Sequence, residues 1–127
     1  MSEIERYLEE IDRLITQIPY RLSTRIDIEN RGDVVLYLRG EIVFTDTSEL
    51  HFKEYFIVVP ALKKLAYSYH YQNKDKEMIF RFDNAEHHTE VRTYPHHKHM
   101  RDTVLPSTEM SLKDAITEAI NTLMKGL

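Results

Sequence analysis

Hydrophobic residues near both ends of the chain repeat with the spacing of an amphipathic helix. The first set is Ile4, Tyr7, Leu8, Ile11, Leu14, Ile15 and Ile18. The second set is Leu112, Ala115, Ile116, Ala119, Ile120, Leu123 and Met124. Ser2 and Ser111 precede these sets as helix caps, and Pro19 ends the first helix. The pattern therefore predicts one helix at each end.

Between the helices the hydrophobic period changes to two, which is typical of half-buried strands. Polar turns such as residues 30–33 and 73–76 separate the alternating segments, and such short turns favour antiparallel neighbours. The predicted strands are residues 21–29, 34–45, 50–59, 62–72 and 77–83. We predict an α+β fold in one domain over residues 1–127. It is an antiparallel five-stranded meander sheet flanked by the N- and C-terminal helices.

Residues 85–110 interrupt this regularity. They have no clear hydrophobic period, contain Pro95 and Pro106, and carry five of the seven histidines. A long irregular segment in a small domain is usually functional or disordered. We expect it to be a histidine-rich loop before the last helix, folded over one end of the sheet.

Composition narrows the function classes. The chain has no cysteine, which excludes disulfides and thiolate metal sites. No segment is apolar enough to cross a bilayer, and the acidic start lacks the apolar core of a signal peptide. These features predict a cytoplasmic protein with no membrane partner. The net charge of −4 means that any nucleic-acid binding requires a local basic patch.

Glu54 breaks an apolar row that contains Phe52 and Phe56, and a carboxylate there needs a partner or a cleft. One interpretation is a structural ion pair with Arg81 or Lys64. The other is a catalytic role beside Arg81 and Asp83, at the junction of the fifth strand with the loop. Asp83 has a further candidate role, because a carboxylate that accepts a bond from a histidine ring sets the tautomer of that ring.

An aromatic stripe, Tyr67, Tyr69 and Tyr71, alternates along the fourth strand. Such a stripe is usually part of the core. Sheet-borne aromatic rings also stack on unpaired bases, so Tyr69 and Tyr71, with Arg92, are candidate RNA-binding residues.

Three hypotheses compete for the loop histidines, which are His87, His88, His96, His97 and His99. The first is a Zn²⁺ or Ni²⁺ site made by His88, His96, His97 and His99, although no standard zinc spacing is present. The second is metal-free cleavage of RNA. The third is a solvated loop in which some rings cap strand ends.

The metal-free hypothesis follows from the chemistry of RNA, whose 2′-OH is an internal nucleophile. Two histidines with an ordinary pKa of about 6.5 can act as general base and general acid near neutral pH. Lys98 is the expected phosphate contact, and Arg81 and Arg92 supply further positive charge for the transition state. The candidate catalytic set is Glu54, Arg81, Asp83, His87, His88, His96, His97, Lys98 and His99.

Several segments that contain these residues resemble a known protein family. The segments Tyr69-His70-Tyr71, Phe80-Arg81-Phe82-Asp83-Asn84-Ala85 with His87-His88, and Pro95-His96-His97-Lys98-His99 resemble the TumE family, as does Leu50-His51-Phe52-Lys53-Glu54. The likeness covers nearly the whole chain. Members known to us usually have tyrosine at the position of Phe82 and proline at that of Glu86.

The resemblance implies the toxin of a type II toxin–antitoxin module. Such a toxin is held inactive by a protein antitoxin, often a helix-turn-helix repressor. Its target would be RNA or the ribosome, and a homodimer is one option for its assembly. A ribonuclease reaction is our own inference from the histidines. The alternatives are a metal-binding domain and a non-catalytic toxin that acts by binding a partner.

Overall fold

The computed structural model describes all 127 residues. It contains two helices and seven strands. In chain order they are α1 (Glu3–Thr16), β1 (Arg21–Arg31), β2 (Val35–Phe44), β3 (Glu49–Ile57), β4 (Lys63–Gln72), β5 (Met78–Asp83), β6 (His97–Met100), β7 (Thr103–Pro106) and α2 (Leu112–Lys125). The predicted α+β class is confirmed. Neither helix is long and apolar enough to span a membrane.

The strands form one open sheet in sequence order, and every neighbouring pair is antiparallel. The meander is therefore confirmed, but the predicted number of five strands is wrong. The two additional strands, β6 and β7, lie in the segment that was expected to be a loop. Each has only four residues. The alternating positions of β6 are nearly all polar, so no hydrophobic period marked it.

Side-chain caps fix the starts of both helices. The Ser2 hydroxyl accepts a hydrogen bond from the backbone N–H of Glu5. At α2, Ser111 and Asp114 exchange side-chain to backbone bonds in a capping box. These contacts satisfy N–H groups that the first turn of a helix leaves free. The helix starts thus follow directly from the local sequence.

Both helices pack on the same face of the sheet, which we call the covered face. Their apolar sides join inward residues of β2 to β5 in one core cluster of 21 buried residues. Tyr7 of α1 packs against Phe56 of β3, with ring centroids 4.8 Å apart. The opposite face carries no helix, and we call it the open face. Alternation along each strand therefore assigns every strand side chain to one of two different environments.

Candidate functional site

Polar and aromatic side chains lie in rows across the open face, because directly paired residues of antiparallel strands share a face. The first row is His51, His70, Arg81 and His99. The second row is Lys53, Ser68, Asp83 and His97. Tyr37 and Tyr55 pair across β2 and β3 in a third row. The segment that was predicted to be a loop thus contributes two histidines to a continuous polar surface.

Three imidazoles and one carboxylate converge at the β5–β6 end of these rows. We call this group, Asp83, His88, His97 and His99, the histidine cluster. Nε2 of His97 lies 2.9 Å from Oδ1 of Asp83, and Nε2 of His99 lies 3.3 Å from Oδ2. The two Nε2 atoms are 3.0 Å apart. The ring of His88 packs edge-on against both other rings, at centroid distances of 5.0 and 5.3 Å.

Nδ1 of His97 lies 2.8 Å from the carbonyl oxygen of Pro95. A carbonyl only accepts, so this nitrogen carries a hydrogen. Nε2 of His97 then faces two further groups, the Asp83 carboxylate and the His99 ring. The three groups are close enough to share one hydrogen or to hold one cation between them.

His99 and His88 are the members that solvent reaches, with side chains 23% and 31% exposed, whereas the His97 side chain is 2% exposed. Burial lowers the pKa of His99 below its usual value, and the Asp83 carboxylate opposes this effect. The neighbouring His97, Arg81 and His88 lower the pKa further. Near neutral pH, His99 is therefore largely the free base.

A cavity of about 650 Å³ opens beside the histidine cluster. Its lining includes His88, His99 and Arg81 at one end and Tyr37 and Tyr55 at the other. Arg81 has no carboxylate within salt-bridge distance, and its only side-chain hydrogen bond is a long one of 3.4 Å from Nε to Nδ1 of His70. The cavity therefore combines titratable rings with a cation that no acidic residue neutralises.

The histidine cluster also has the donor set of a metal site. One nitrogen from each of His88, His97 and His99 lies within 4.8 Å of the other two. His97 directs its other ring nitrogen to a backbone carbonyl, and Nδ1 of His88 lies 3.2 Å from Oε1 of Glu90. Metal-binding histidines usually make such outer contacts, which fix the ring orientation. These three histidines could therefore hold a Zn²⁺ ion, and the Asp83 carboxylate lies beside two of them.

Glu54 does not lie at the histidine cluster. Its row faces the helices, so its side chain is buried on the covered face, while Arg81 and Asp83 point to the open face. Glu54 accepts hydrogen bonds from the hydroxyls of Tyr7 and, at 2.5 Å, Tyr69. Nζ of Lys64 lies 3.9 Å from Oε2 of Glu54. The expected convergence of Glu54 with Arg81 and Asp83 is therefore wrong. The structure instead has the other interpretation of Glu54, an ion pair with Lys64.

Burial and the Glu54 carboxylate both raise the pKa values of Tyr7 and Tyr69, so these hydroxyls remain donors. Burial lowers the pKa of Lys64, and Glu54 opposes that effect. Lys64 also donates to the Tyr69 hydroxyl at 2.8 Å and to the carbonyl of Met110 at 2.7 Å. All polar atoms of this buried network have partners. It holds α1, the sheet and the start of α2 together.

Lys98 also differs from the expectation, because it lies between His97 and His99 on a strand and points to the covered face. Its Nζ is 2.5 Å from Oε1 of Glu118 in α2 and lies over the rings of Phe80 and Phe82. A lysine engaged in this way cannot serve the histidine cluster as a phosphate contact.

We predict that Lys98→Met leaves any activity of the histidine cluster within twofold of wild type. Methionine keeps most of the apolar stem, and the loss of a partly exposed ion pair should cost about 1 kcal/mol of unfolding free energy. Urea unfolding and a toxicity assay in cells measure the two effects. A loss of toxicity in a stably folded variant would return Lys98 to the list of functional residues.

The remaining loop candidates separate in space. His96 faces the covered side, where Nδ1 lies 2.8 Å from the hydroxyl of Tyr67 and Nε2 lies 3.8 Å from Glu109. His96 is therefore not available to complete a metal site with His88, His97 and His99. His87 and Arg92 are exposed, and of these two only His87 lines the large cavity.

The tyrosine stripe belongs to the core. Tyr67, Tyr69 and Tyr71 are at most 4% exposed and face the helices, so Tyr69 and Tyr71 cannot stack on bases as expected. Burial raises the pKa of Tyr67 to about 12, which keeps its hydroxyl protonated beside His96. The aromatic rings on the open face are instead Tyr37 and Tyr55. Alternation within β2 and β3 would have identified them, because both lie opposite the apolar rows.

The fold and site define a class: a small α+β protein whose meander sheet carries a histidine–carboxylate cluster on its open face. The family comparison is more specific, since a family model described as toxin TumE matches residues 11–125. The chain therefore belongs to the TumE toxin family, and the resemblance noted from its motifs is confirmed. No curated protein and no solved structure matches the chain.

Proposed function

We propose that this toxin cleaves RNA at the histidine cluster without a metal ion. Membership of the TumE toxin family supports the toxin role. The observation that carries the reaction is the clustering of three imidazoles, two of them within 3.3 Å of the Asp83 carboxylate, beside a cavity that Arg81 also lines. Two titratable rings and a free guanidinium are the groups that RNA transesterification requires.

In this proposal His99, as the free base, takes the proton from a 2′-OH. The 2′ oxygen attacks the adjacent phosphorus, and the bond from phosphorus to the 5′ oxygen breaks. His88 in its protonated form donates a proton to that leaving oxygen. The products are a 2′,3′-cyclic phosphate and a 5′-hydroxyl end. Arg81 stabilises the negative charge that develops on the phosphate.

Asp83 and His97 are positioning residues in this scheme. Asp83 accepts a hydrogen bond from the backbone N–H of Ala85 at 3.0 Å, which fixes its carboxylate. His97 is anchored by the Pro95 carbonyl and in turn orients the ring of His99. A ring held in one tautomer and orientation loses less entropy when it transfers a proton.

The test uses tag-free protein and end-labelled single-stranded RNA in buffer with EDTA. We expect cleavage that leaves cyclic phosphate ends and that stops when the 2′-OH at the cleaved position is replaced by hydrogen. If the RNA stays intact although the same protein is toxic in cells, the ribonuclease function is rejected.

A second candidate function is a metal-dependent activity, favoured by the donor set described above. Zn²⁺ bound at His88, His97 and His99 would supply an activated water or a Lewis acid. Elemental analysis of protein purified without a polyhistidine tag or nickel column tests it. About one equivalent of zinc, together with activity that EDTA removes and zinc restores, would establish this function over the metal-free one.

Toxin families act with antitoxins, so we further propose a type II module in which a protein antitoxin, of the helix-turn-helix kind, neutralises this chain. RNA as substrate implies that the toxin acts in the cytoplasm. Coexpression with the product of an adjacent gene should relieve toxicity and yield a complex that copurifies. Relief by the transcript of that gene without its protein would argue against a type II module.

A further inference from the structure

A second cavity, of about 420 Å³, lies on the open face next to the histidine cluster. Its lining contains six polar residues and no acidic one: His51, Lys53, Ser68, His70, Gln72 and Arg81. Lys53, Ser68 and Arg81 also line the large cavity, so the two depressions share one wall. A polymer that is bound at the histidine cluster and extends across β4 and β3 would pass over these three residues.

The three shared residues are the ones with unused donors. Lys53 is exposed and forms no ion pair or side-chain hydrogen bond, and the Ser68 hydroxyl has no partner. The only side-chain hydrogen bond of Arg81 is to His70, as described above. Lys53 and Ser68 are directly paired across β3 and β4, and Arg81 is a diagonal neighbour of Ser68 on β5. An ammonium, a hydroxyl and a guanidinium in this arrangement form a surface suited to a phosphate group.

Most carboxylates around these three residues are engaged by other groups, and the exception is Glu86 in the lining of the large cavity. The acidic side chains near His51 are Glu49, 2.9 Å from its Nε2, and Glu41, 3.8 Å from its Nδ1. Glu49 is also bound by Lys76 at 2.7 Å. Asp83, opposite Ser68, is engaged by His97 and His99. Burial lowers the pKa of His70, which donates from Nε2 to Gln72 and accepts from Arg81, so it stays a neutral spacer.

Beside Lys53, the Tyr37 and Tyr55 rings lie in register on β2 and β3 and are half-buried. Both line the large cavity together with Leu65 and Ala66. Half-buried aromatic rings on a sheet without a helix are a platform on which unpaired bases stack. A duplex, whose bases are already stacked in pairs, could not use this platform.

We propose that Lys53 and Ser68 form a phosphate subsite next to the reacting phosphate, that Arg81 lies between the two phosphates and serves both, and that Tyr37 and Tyr55 stack a flanking base. The substrate class is therefore single-stranded RNA that extends beyond the cleaved linkage. This inference deepens the proposed function, because it takes the histidine cluster as the point of cleavage.

The experiment measures binding separately from cleavage. The probe is a fluorescent 2′-O-methyl oligoribonucleotide, which lacks the 2′-OH nucleophile and stays intact. Fluorescence anisotropy of the wild-type chain should show that the single strand binds more tightly than a matched 2′-O-methyl duplex. Lys53→Gln should weaken binding about fivefold at 0.1 M salt and reduce the slope of log affinity against log salt by roughly 0.7. Tyr55→Leu should weaken it roughly 5- to 150-fold.

Matched controls lie elsewhere on the surface. Lys113→Gln on α2 removes an exposed lysine, and Tyr20→Leu removes an exposed tyrosine before β1. Both should bind like wild type. Lys53→Arg, which keeps the charge, should restore most of the affinity and the salt slope. Thermal unfolding verifies that each variant is folded.

The outcomes separate the subsite from the reaction. Affinity that is unchanged in Lys53→Gln and Tyr55→Leu, or equal affinity for the duplex, would overturn the subsite even if wild-type protein cleaves RNA. Single-strand binding that depends on both residues, without cleavage of ordinary RNA, would support the subsite and reject the ribonuclease. His99→Asn should reduce cleavage by about 10²- to 10⁴-fold and leave oligonucleotide binding within about threefold.

Discussion

Replacement of His99 by asparagine is expected to reduce RNA cleavage by about 10²- to 10⁴-fold, the usual contribution of a positioned general base. Asparagine keeps a polar group of similar reach but cannot take a proton near neutral pH. The side chain of His99 is partly exposed, so the substitution leaves no large void in the core. Initial cleavage rates of labelled RNA, measured with excess protein, give the effect directly.

His96→Gln is the matched control for this substitution. His96 lies in the same histidine-rich segment but faces the covered side, beside Tyr67 and Glu109. We expect its cleavage rate to stay within a few-fold of wild type. If His96→Gln were inactive and His99→Asn active, the reaction would have to take place on the covered face and the proposed centre would be wrong.

Replacement of Glu54 by alanine is expected to lower the free energy of unfolding by about 3–5 kcal/mol, as when one partner of a buried ion pair is removed. The Glu54 side chain is completely buried, and its loss would leave the Tyr7 and Tyr69 hydroxyls and the Lys64 ammonium without their common acceptor. A cavity in the core adds to the cost. Urea denaturation measures the change.

Glu41→Ala serves as the comparison, because Glu41 is a partly exposed carboxylate on the neighbouring strand. Its removal should cost less than about 1 kcal/mol. Equal stability of Glu54→Ala and Glu41→Ala would show that the buried network does not hold the helices to the sheet. It would also reopen a functional role for Glu54.

Hydrophobic periodicity was sufficient to predict α1, α2 and β1 to β5, because these elements bury one side in a common core. It could not predict β6 and β7. On the open face β6 carries two histidines. Its polar residue on the covered face is Lys98, whose partner Glu118 lies 20 positions away. Pairing with β5, rather than burial of apolar side chains, determines where β6 lies.

The same reason limited the prediction of the site. Clustering of histidines in the sequence indicated the segment that holds the proposed centre, and two histidine rings lie within 3.3 Å of the Asp83 carboxylate, which was expected to accept from one of them. The face of each side chain depends on strand alternation, which is invisible where a strand is not recognised. Lys98 and His96 were therefore grouped with His97 and His99, although they lie on the other side of the sheet. Lys53, Tyr37 and Tyr55 of the proposed subsite were not singled out, because in the sequence they looked like ordinary solvated positions.

The position of β6 within the sheet has a consequence for variation in length. A slip of one residue along β5 would turn both histidines towards α2 and Lys98 towards Asp83, so contacts on both surfaces would be lost at once. The β6 register is thus held from two sides. Insertions or deletions at the exposed residues 86–87 should consequently leave the register of His97 and His99 on β5 unchanged, although they would displace the adjacent His88.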